Sequence, residues 1–145
     1  MKPPKYEQTR TRPLRTDPEI EARVAELIGR ANIRQLWALF LDHDAVQLPL
    51  LIPIDGVPSE PSPAHTTEII ARLRGVCEEI GASALVLVWE RYGAATLTPQ
   101  DAAWARALHE TCGEVGVPLR AMLLSHRTGV RWIAQDDFRF EPASD

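Results

Sequence analysis

Two apolar runs on either side of one amphipathic segment constrain the fold of this chain more than any other feature. Residues 84–88 (ALVLV) are apolar on both faces and residues 117–124 are mostly apolar, as is typical of strands buried inside a sheet. Between them, Thr98-Pro99-Gln100-Asp101 predicts the start of a helix, and apolar residues at helical spacing follow. A strand, a helix and a strand in this order predict two parallel strands joined by a right-handed crossover.

Helix signals occur twice before this unit. Asp17-Pro18 predicts the start of a first helix with Asp17 as its N-cap, and Gly29 predicts its end. A second helix is predicted from Thr66 to Ile80, with Thr66 or Thr67 as the cap and Gly81 as the terminating residue. Both segments carry an apolar stripe that can cover one face of a sheet.

Short apolar runs with turns between them predict the remaining strands. Residues 36–41 and 46–54 are predicted to form two strands joined by a tight turn. The second strand contains Pro49 and Pro53, which cannot donate ladder hydrogen bonds, so we expect it to be at a sheet edge, bent or interrupted. Residues 126–129 form a predicted turn, after which the chain pairs back on the preceding strand as a hairpin.

The predicted order of elements is α-β-β-α-β-α-β-β. This order predicts a single α/β domain over residues 17–135, with a mixed central sheet and flanking helices. A chain of 145 residues is long enough for one hydrophobic core and too short for two comfortable ones. Residues 1–16 are basic and contain several prolines, which predicts a flexible N-terminal tail, and residues 136–145 are predicted to form a C-terminal tail.

Composition narrows the classes of function. The formal net charge is -4, which disfavours non-specific binding to nucleic acid or to a membrane surface. No apolar run approaches the roughly 18 residues of a membrane span and no secretory leader is visible, so a soluble cytoplasmic protein is expected. Cys77 and Cys112 fall in predicted helices and are expected to be small buried side chains, since two thiols are neither a disulfide framework nor a zinc set.

Several phrases of the chain follow one another as they do in a known family. The phrases are LWALFLDHDAVQLPLLIPIDG, GASALVLV, WERYGAATLTPQD, GEVGVPLRAMLLS and HRTGVRWIA, and the distance between LTPQD and GVPL is their most specific feature. Over residues 36–134 the chain resembles the JAB/MPN (JAMM) metalloenzyme-like domain, and within it the RadC-type branch. The resemblance implies a cytidine-deaminase-like α/β fold and, in typical members, a zinc site on a His-x-His-Pro-Ser-Gly motif that follows an apolar strand.

The residues of that motif are largely replaced in this chain. The resemblance places the two zinc histidines at Trp89 and Arg91, the serine near Thr98 and the aspartate ligand at Asp101. Tryptophan has no lone pair to donate, arginine stays cationic, and catalytic zinc needs about three protein ligands. The resemblance therefore implies a degenerate, catalytically inactive copy, and we predict no catalytic, metal-binding or cofactor-binding residue. Asp101 is sufficiently explained as a first-turn helix cap, whose replacement by Ala should cost on the order of 0.5–1 kcal/mol.

Trp89, Glu90, Arg91 and Tyr92 form the predicted interaction patch. They directly follow the apolar run 84–88 and are expected on a loop that the sheet presents to solvent. Tryptophan, tyrosine and arginine are enriched at the centres of protein interfaces, which favours contact with a protein, a peptide or a small ligand, and a second copy of the chain is one such partner. The alternative is that Trp89 packs in the core and that Arg91 is merely solvated.

Two other functions remain open from the sequence. The first is a metal-dependent hydrolase or deaminase-like enzyme with a rearranged ligand set, His43, Asp55, Asp101 and His126, provided that the predicted turns meet in space. No pair of these residues has the spacing typical of metal ligands. The second is a DNA-repair accessory protein, by analogy with the RadC-type branch, in which the basic tail would contact nucleic acid.

Overall fold

A computed structural model of the chain describes residues 12–134 and 136–137. The helices in this range are α1 (Asp17–Leu27), α2 (Pro63–Ile80) and α3 (Pro99–Val115), and none of them is long and apolar enough to cross a membrane. The strands are β1 (Gln35–Leu41), β2 (Gln47–Ile54), β3 (Ala84–Glu90), β4 (Leu119–His126) and β5 (Gly129–Trp132). The described residues therefore form one α/β domain with a five-stranded mixed sheet and three helices, in the predicted order of elements.

The sheet has the strand order β2-β1-β3-β4-β5, with β3 at its centre. β3 and β4 are parallel and joined through α3, as predicted, whereas the other neighbouring strands are antiparallel. The connection from β2 through α2 returns to β3, with β1 lying between the two strands. As a result, β2, β3 and β4 all end at one edge of the sheet, where β1 and β5 begin. We call this the carboxyl edge.

Alternate residues of β3 pack on opposite faces of the sheet. Leu85, Leu87 and Trp89 belong to the core under α2 and α3, while Val86 and Val88 belong to the core that includes α1. None of these five side chains is more than 4% exposed, which confirms that the central strand is buried on both faces. The sheet is thus a layer between α1 on one side and α2 and α3 on the other.

Capping boxes close the first turns of α1 and α3. In α3, Thr98 is the N-cap and the carboxylate of Asp101 accepts a hydrogen bond from the Thr98 backbone N–H, as predicted. In α1, the N-cap is Thr16 paired with Glu19, and the prediction of Asp17 as the cap is wrong. If Asp17 were the N-cap, the residue three positions later would be an isoleucine, whose side chain cannot accept a hydrogen bond from the backbone N–H of the cap. The cap one residue earlier is therefore more stable.

α2 begins three residues earlier than predicted, because a serine-proline pair starts it. The hydroxyl of Ser62 accepts from the N–H of His65 at 3.3 Å, and Pro63 occupies the first turn. Thr66, a predicted cap, is buried inside the helix, where its hydroxyl donates to the Ser62 carbonyl at 3.1 Å. The same hydroxyl accepts from the hydroxyl of Thr111 in α3 at 3.1 Å, so Thr66 links two helices instead of starting one.

The two outer strands offer little backbone for pairing with another chain. β2 is an edge strand, as predicted, and Pro49 and Pro53 remove two N–H donors from it. β5, at the other edge, is four residues long. The backbone at both edges therefore disfavours the extension of the sheet by a second copy of the chain.

The folded part of the chain begins before the predicted boundary at Asp17. Leu14 is 6% exposed, and its N–H donates to the carbonyl of Ala45 at 2.7 Å. Pro13 forms an isolated bridge with Val46. The earlier part of the predicted N-terminal tail, residues 1–11, lies outside the described residues, as do residues 138–145 of the predicted C-terminal tail.

Candidate functional site

The four residues of the predicted interaction patch do not form one exposed loop. β3 continues through Glu90, so Trp89 and Glu90 are strand residues that are 4% and 3% exposed. The side chain of Arg91 is 11% exposed, whereas Tyr92 is 73% exposed. The expected exposure is therefore found at Tyr92 alone, and a contact of these residues with a partner stays a prediction.

Glu90 holds the connection between α1 and β1 against the end of β3. Its Oε2 accepts from the N–H groups of Asn32 at 2.6 Å and Ile33 at 3.0 Å. Its Oε1 accepts from the side chains of Gln35 at 3.0 Å and Trp37 at 2.7 Å. Burial by itself would raise the pKa of this carboxyl, but the four hydrogen bonds outweigh it and hold the pKa below its ordinary value. Glu90 is therefore an ionised anchor of the fold.

Arg91 joins the end of β3 to the first turn of α3. Its Nη2 and Nε lie 2.7 Å and 3.0 Å from Oδ2 of Asp101, and Nε also lies 3.2 Å from Oδ1. The same guanidinium donates to two carbonyls of the β3–α3 loop, those of Ala94 at 2.6 Å and Thr96 at 3.0 Å. These contacts use the planar fork of donors that distinguishes arginine from lysine, and they fix the course of the loop.

Asp101 connects these hydrogen bonds to the first turn of α3. Its carboxylate also accepts from Nε1 of Trp89 at 3.0 Å and from the backbone N–H of Thr98 at 2.9 Å. Burial acts to raise the pKa of Asp101, but Arg91 and the other donors prevail and hold it below its ordinary value. The predicted capping role of Thr98 and Asp101 is confirmed. Because donors from three residues occupy the carboxylate, it is poorly placed to act as a base or a metal ligand.

Trp89 extends the network into the core. Its ring stacks on that of Trp104 in α3, with centroids 5.5 Å apart and 21° between the planes. The guanidinium carbon of Arg34 lies 5.0 Å from the centroid of the Trp89 ring, within the range of a cation–π contact. Arg34 also donates to the carbonyls of Val57 and Pro58 in the loop after β2. Trp89 is thus a packing residue, as in the alternative considered from the sequence.

An open cleft lies over this network at the carboxyl edge. Its volume is about 490 Å³, which is within the size range of ligand-binding pockets. The β3–α3 loop and the start of α3 form most of its walls. The long or polar side chains that line it are Arg34, Trp89, Arg91, Tyr92, Thr96, Leu97, Thr98, Gln100 and Asp101. A position outside the carboxyl ends of the strands is where open α/β sheets generally bind their ligands.

The alternative metal-ligand set is not brought together. His43 lies in the turn between β1 and β2, at the edge of the sheet opposite to the carboxyl edge. β1 has seven residues, which separates the two edges by about 20 Å. Asp55, Asp101 and His126 lie at the carboxyl edge, but Arg91 occupies Asp101. Within residues 12–134 and 136–137, no group of three or more His, Cys, Asp or Glu could hold a metal ion.

The α1–β1 connection and the β4–β5 turn complete the surface of the carboxyl edge, although neither was predicted to belong to the interaction patch. The N–H of Ala31 donates to the carbonyl of His126 at 2.7 Å, and the N–H of Arg127 donates to the carbonyl of Gly93 at 2.9 Å. These bonds place the α1–β1 connection and the β4–β5 turn beside the loop that carries Tyr92. We call the resulting set of exposed side chains the arginine surface: Arg30, Ile33, Arg34, Tyr92 and Arg127.

The composition of the arginine surface could be anticipated in part. Ile33 is the single large apolar residue in the polar run 29–35, and an isolated apolar residue belongs to no buried stripe. Arg127 lies near this run because of long-range packing, which the residues around Arg127 in the sequence do not predict. Both lysines of the chain, Lys2 and Lys5, come before the first residue that the structure describes. The described residues therefore contain arginine but no lysine.

The exposed groups at the carboxyl edge are of the kinds that bind a ligand through charge and apolar contact. Guanidinium groups, a phenol, an aliphatic side chain and the carboxylate of Asp55 are exposed there, while the carboxylates of Glu90 and Asp101 are engaged in the fold. His126 is 7% exposed, and burial together with the charges of Arg91 and Arg131 lowers its pKa.

The sequence matches no protein-family model and no curated protein.

Proposed function

We propose that this protein is a catalytically silent JAB/MPN-like domain, of the RadC type, that serves as an interaction or scaffold domain. In this proposal the binding surface is the arginine surface, with Ile33 and Tyr92 as its apolar contacts. Among the described residues these are the large apolar side chains that are exposed, at 54% and 73%. Their placement at one edge, where Tyr92 lines the cleft, carries the proposal, because exposed apolar residues ringed by polar groups are typical of interfaces.

The network around Asp101 supports the loss of catalysis. In the resemblance described above, Trp89 and Arg91 stand where two zinc histidines would be, and Asp101 stands where the family has a carboxylate ligand. Arg91 brings a positive charge to 2.7 Å from this carboxylate. In this proposal, a salt bridge within the chain has taken the place of the metal as the partner of Asp101, which explains why the aspartate is present without the histidines.

Site-specific photo-crosslinking tests the interaction. A benzophenone amino acid in place of Tyr92 should crosslink one defined protein, or a second copy of the chain, in cells that produce the protein. The matched control carries the same group at Glu110, an exposed position on α3, and should not yield that product. Adding Ile33→Asp to the Tyr92 variant should abolish the crosslink. Equal crosslinking from both positions would mean that the surface is not a specific binding site.

Reintroduced histidines test the relation to the metal-binding family. The double variant Trp89→His with Arg91→His should bind one zinc ion if the geometry of the site is inherited, as measured by competition with a coloured chelator. Adding Asp101→Asn should weaken that binding, and circular dichroism checks that each variant folds. Arg91→His alone keeps the core contact of Trp89 but supplies only two ligands with Asp101, so it should bind zinc more weakly than the double variant and serves as the matched control. Zinc binding that does not depend on Asp101 would contradict the relation.

A further inference from the structure

We propose that the arginine surface binds an acidic peptide segment of a partner protein, with one bulky apolar side chain of that segment in the cleft beside Tyr92. This inference rests on the proposed function, because it names the chemistry of the partner for the same surface. The exposed charges, the apolar side chains and the cleft each contribute to it.

The exposed charges of the arginine surface are positive, although the chain has a formal net charge of -4. The side chains of Arg30 and Arg127 make no hydrogen bond or ion pair with any residue that the structure describes. The guanidinium of Arg34 is bound to backbone carbonyls and not to a carboxylate. Three guanidinium groups from two loops therefore face solvent beside Tyr92 without an acidic partner in the described part of the chain.

The acidic groups at this edge do not cancel the exposed arginines. Glu90 is buried under four hydrogen bonds, and Asp101 and Asp137 are paired with other arginines, at 2.7 Å and 3.0 Å. Asp55 and Glu60 are exposed, but they lie at the end of β2 and in the loop that follows it. Arg34 donates to the carbonyls of Val57 and Pro58 in that loop, so these two acids lie on the Arg34 side of the arginine surface, whereas Arg127 lies in the β4–β5 turn. A negatively charged ligand is thus favoured at the β3–β4 side.

The apolar part of the surface favours a peptide over a nucleic acid. Tyr92 lines the cleft, whose volume of about 490 Å³ is large enough for a leucine or an aromatic side chain, and Ile33 is exposed directly before Arg34, which also lines it. Nucleic acids are held mainly by many cations along the phosphate chain, whereas this surface offers three exposed arginines. A short acidic segment with one apolar anchor matches both the charges and the cleft.

Fluorescence anisotropy with labelled peptides tests this inference. The probe is a peptide of glutamate and aspartate with one central leucine. One matched peptide has the corresponding amides in place of the acids, and another has glycine in place of leucine. The acidic peptide with leucine should bind most tightly, and each matched peptide should bind about tenfold more weakly. Added salt should weaken binding of the acidic probe, because it screens exposed ion pairs.

Variants of the chain locate the binding site. Arg30→Gln combined with Arg127→Gln should weaken binding of the acidic probe by about tenfold, and Tyr92→Ala should have an effect of similar size. The control combines Arg72→Gln with Arg74→Gln on the exposed side of α2, which changes the net charge by the same amount. The control should bind the probe as the unaltered protein does. Equal losses in the two double variants would overturn the inference, because net charge alone would then explain binding.

The remaining outcomes separate this inference from the proposed function. If the amide peptide binds as tightly as the acidic one and Tyr92→Ala weakens both, the inference is wrong and the interaction surface stands. If a labelled single-stranded oligonucleotide binds more tightly than the acidic probe and the Arg30 and Arg127 variant loses it, the surface is a nucleic-acid site. If no peptide binds while the crosslink at Tyr92 forms, the inference fails alone. If that crosslink also fails, both proposals fall.

Discussion

The guanidinium of Arg91 lies 2.7 Å from the carboxylate of Asp101, and the two side chains are 11% and 3% exposed. The same carboxylate caps the first turn of α3 and accepts from the indole of Trp89. One buried acid therefore joins a strand end, a loop and a helix. The corresponding acid of α1, Glu19, is exposed and, within the part of the chain that the structure describes, accepts hydrogen bonds only from residues within four positions of it.

Replacing Asp101 with Ala should lower the free energy of unfolding by about 3–5 kcal/mol, because it leaves the guanidinium of Arg91 buried without its partner. This exceeds the roughly 0.5–1 kcal/mol expected for the loss of a cap alone. Glu19→Ala is the matched control, since it removes a capping box without a buried ion pair, and its effect should be much smaller. Urea denaturation followed by circular dichroism measures both. Equal losses would show that Arg91 adds nothing to capping.

Acid should destabilise the fold through Glu90 and Asp101. Their pKa values in the fold lie below the ordinary values of 4.5 and 3.8, so the unfolded chain takes up protons first as the pH falls. The stability that they contribute is complete above about pH 5 and is lost as the pH falls through the ordinary values toward those of the folded state. Glu90→Gln should be less stable at neutral pH, and its stability should change less with pH. Parallel curves for the two proteins, from urea denaturation at each pH, would contradict this assignment.

Trp89 and Tyr92 should differ sharply in their effect on stability. Trp89→Ala removes a ring that stacks on Trp104 and a donor to Asp101, and should cost about 3–5 kcal/mol. Tyr92→Ala should change stability by no more than about 0.5 kcal/mol, because the side chain is 73% exposed. Urea denaturation tests both variants. A Trp89→Ala protein as stable as the unaltered one would show that the stacked indole contributes little to the core.

Cys77 and Cys112 should be unreactive in the folded protein. They are 8% and 1% exposed in the core under α2 and α3, which confirms their predicted burial. Burial raises the pKa of Cys77, and it raises the pKa of Cys112 to about 12. Because the thiolate is the reactive form, iodoacetamide near pH 8 should modify neither thiol in native buffer and both thiols in guanidinium chloride. Mass spectrometry counts the adducts, and rapid modification of Cys112 without denaturant would contradict this expectation.

The helix starts and ends that are determined by residues adjacent in the sequence could be predicted. Thr98 and Pro99 predicted the start of α3, and its capping box has the expected partners. Gly81 ends α2 in the left-handed conformation, with φ of 76°, as its position after the apolar stripe predicted. The serine-proline pair that starts α2 carries the same kind of signal, but the threonines that follow it are equally good caps by residue type.

The end of β3 could not be predicted because distant residues determine it. Glu90 stays in the strand because the N–H groups of Asn32 and Ile33, 58 and 57 positions away, satisfy its carboxylate. Arg91 is largely buried because Asp101, ten positions later, neutralises it. A tryptophan, an acid and an arginine in succession are typical of an exposed binding loop, and only their tertiary partners show that three of the four residues at this position hold the fold together.

The absence of lysine from the described residues has a practical consequence for the arginine surface. The lysines of the chain are at positions 2 and 5, so reagents directed at amino groups of side chains react before the first residue that the structure describes. Dyes, biotin and activated sensor surfaces coupled through such amines leave every guanidinium of the fold unmodified. Amine coupling often inactivates a cationic binding site, but here it should attach the protein by its early residues and leave that site chemically intact.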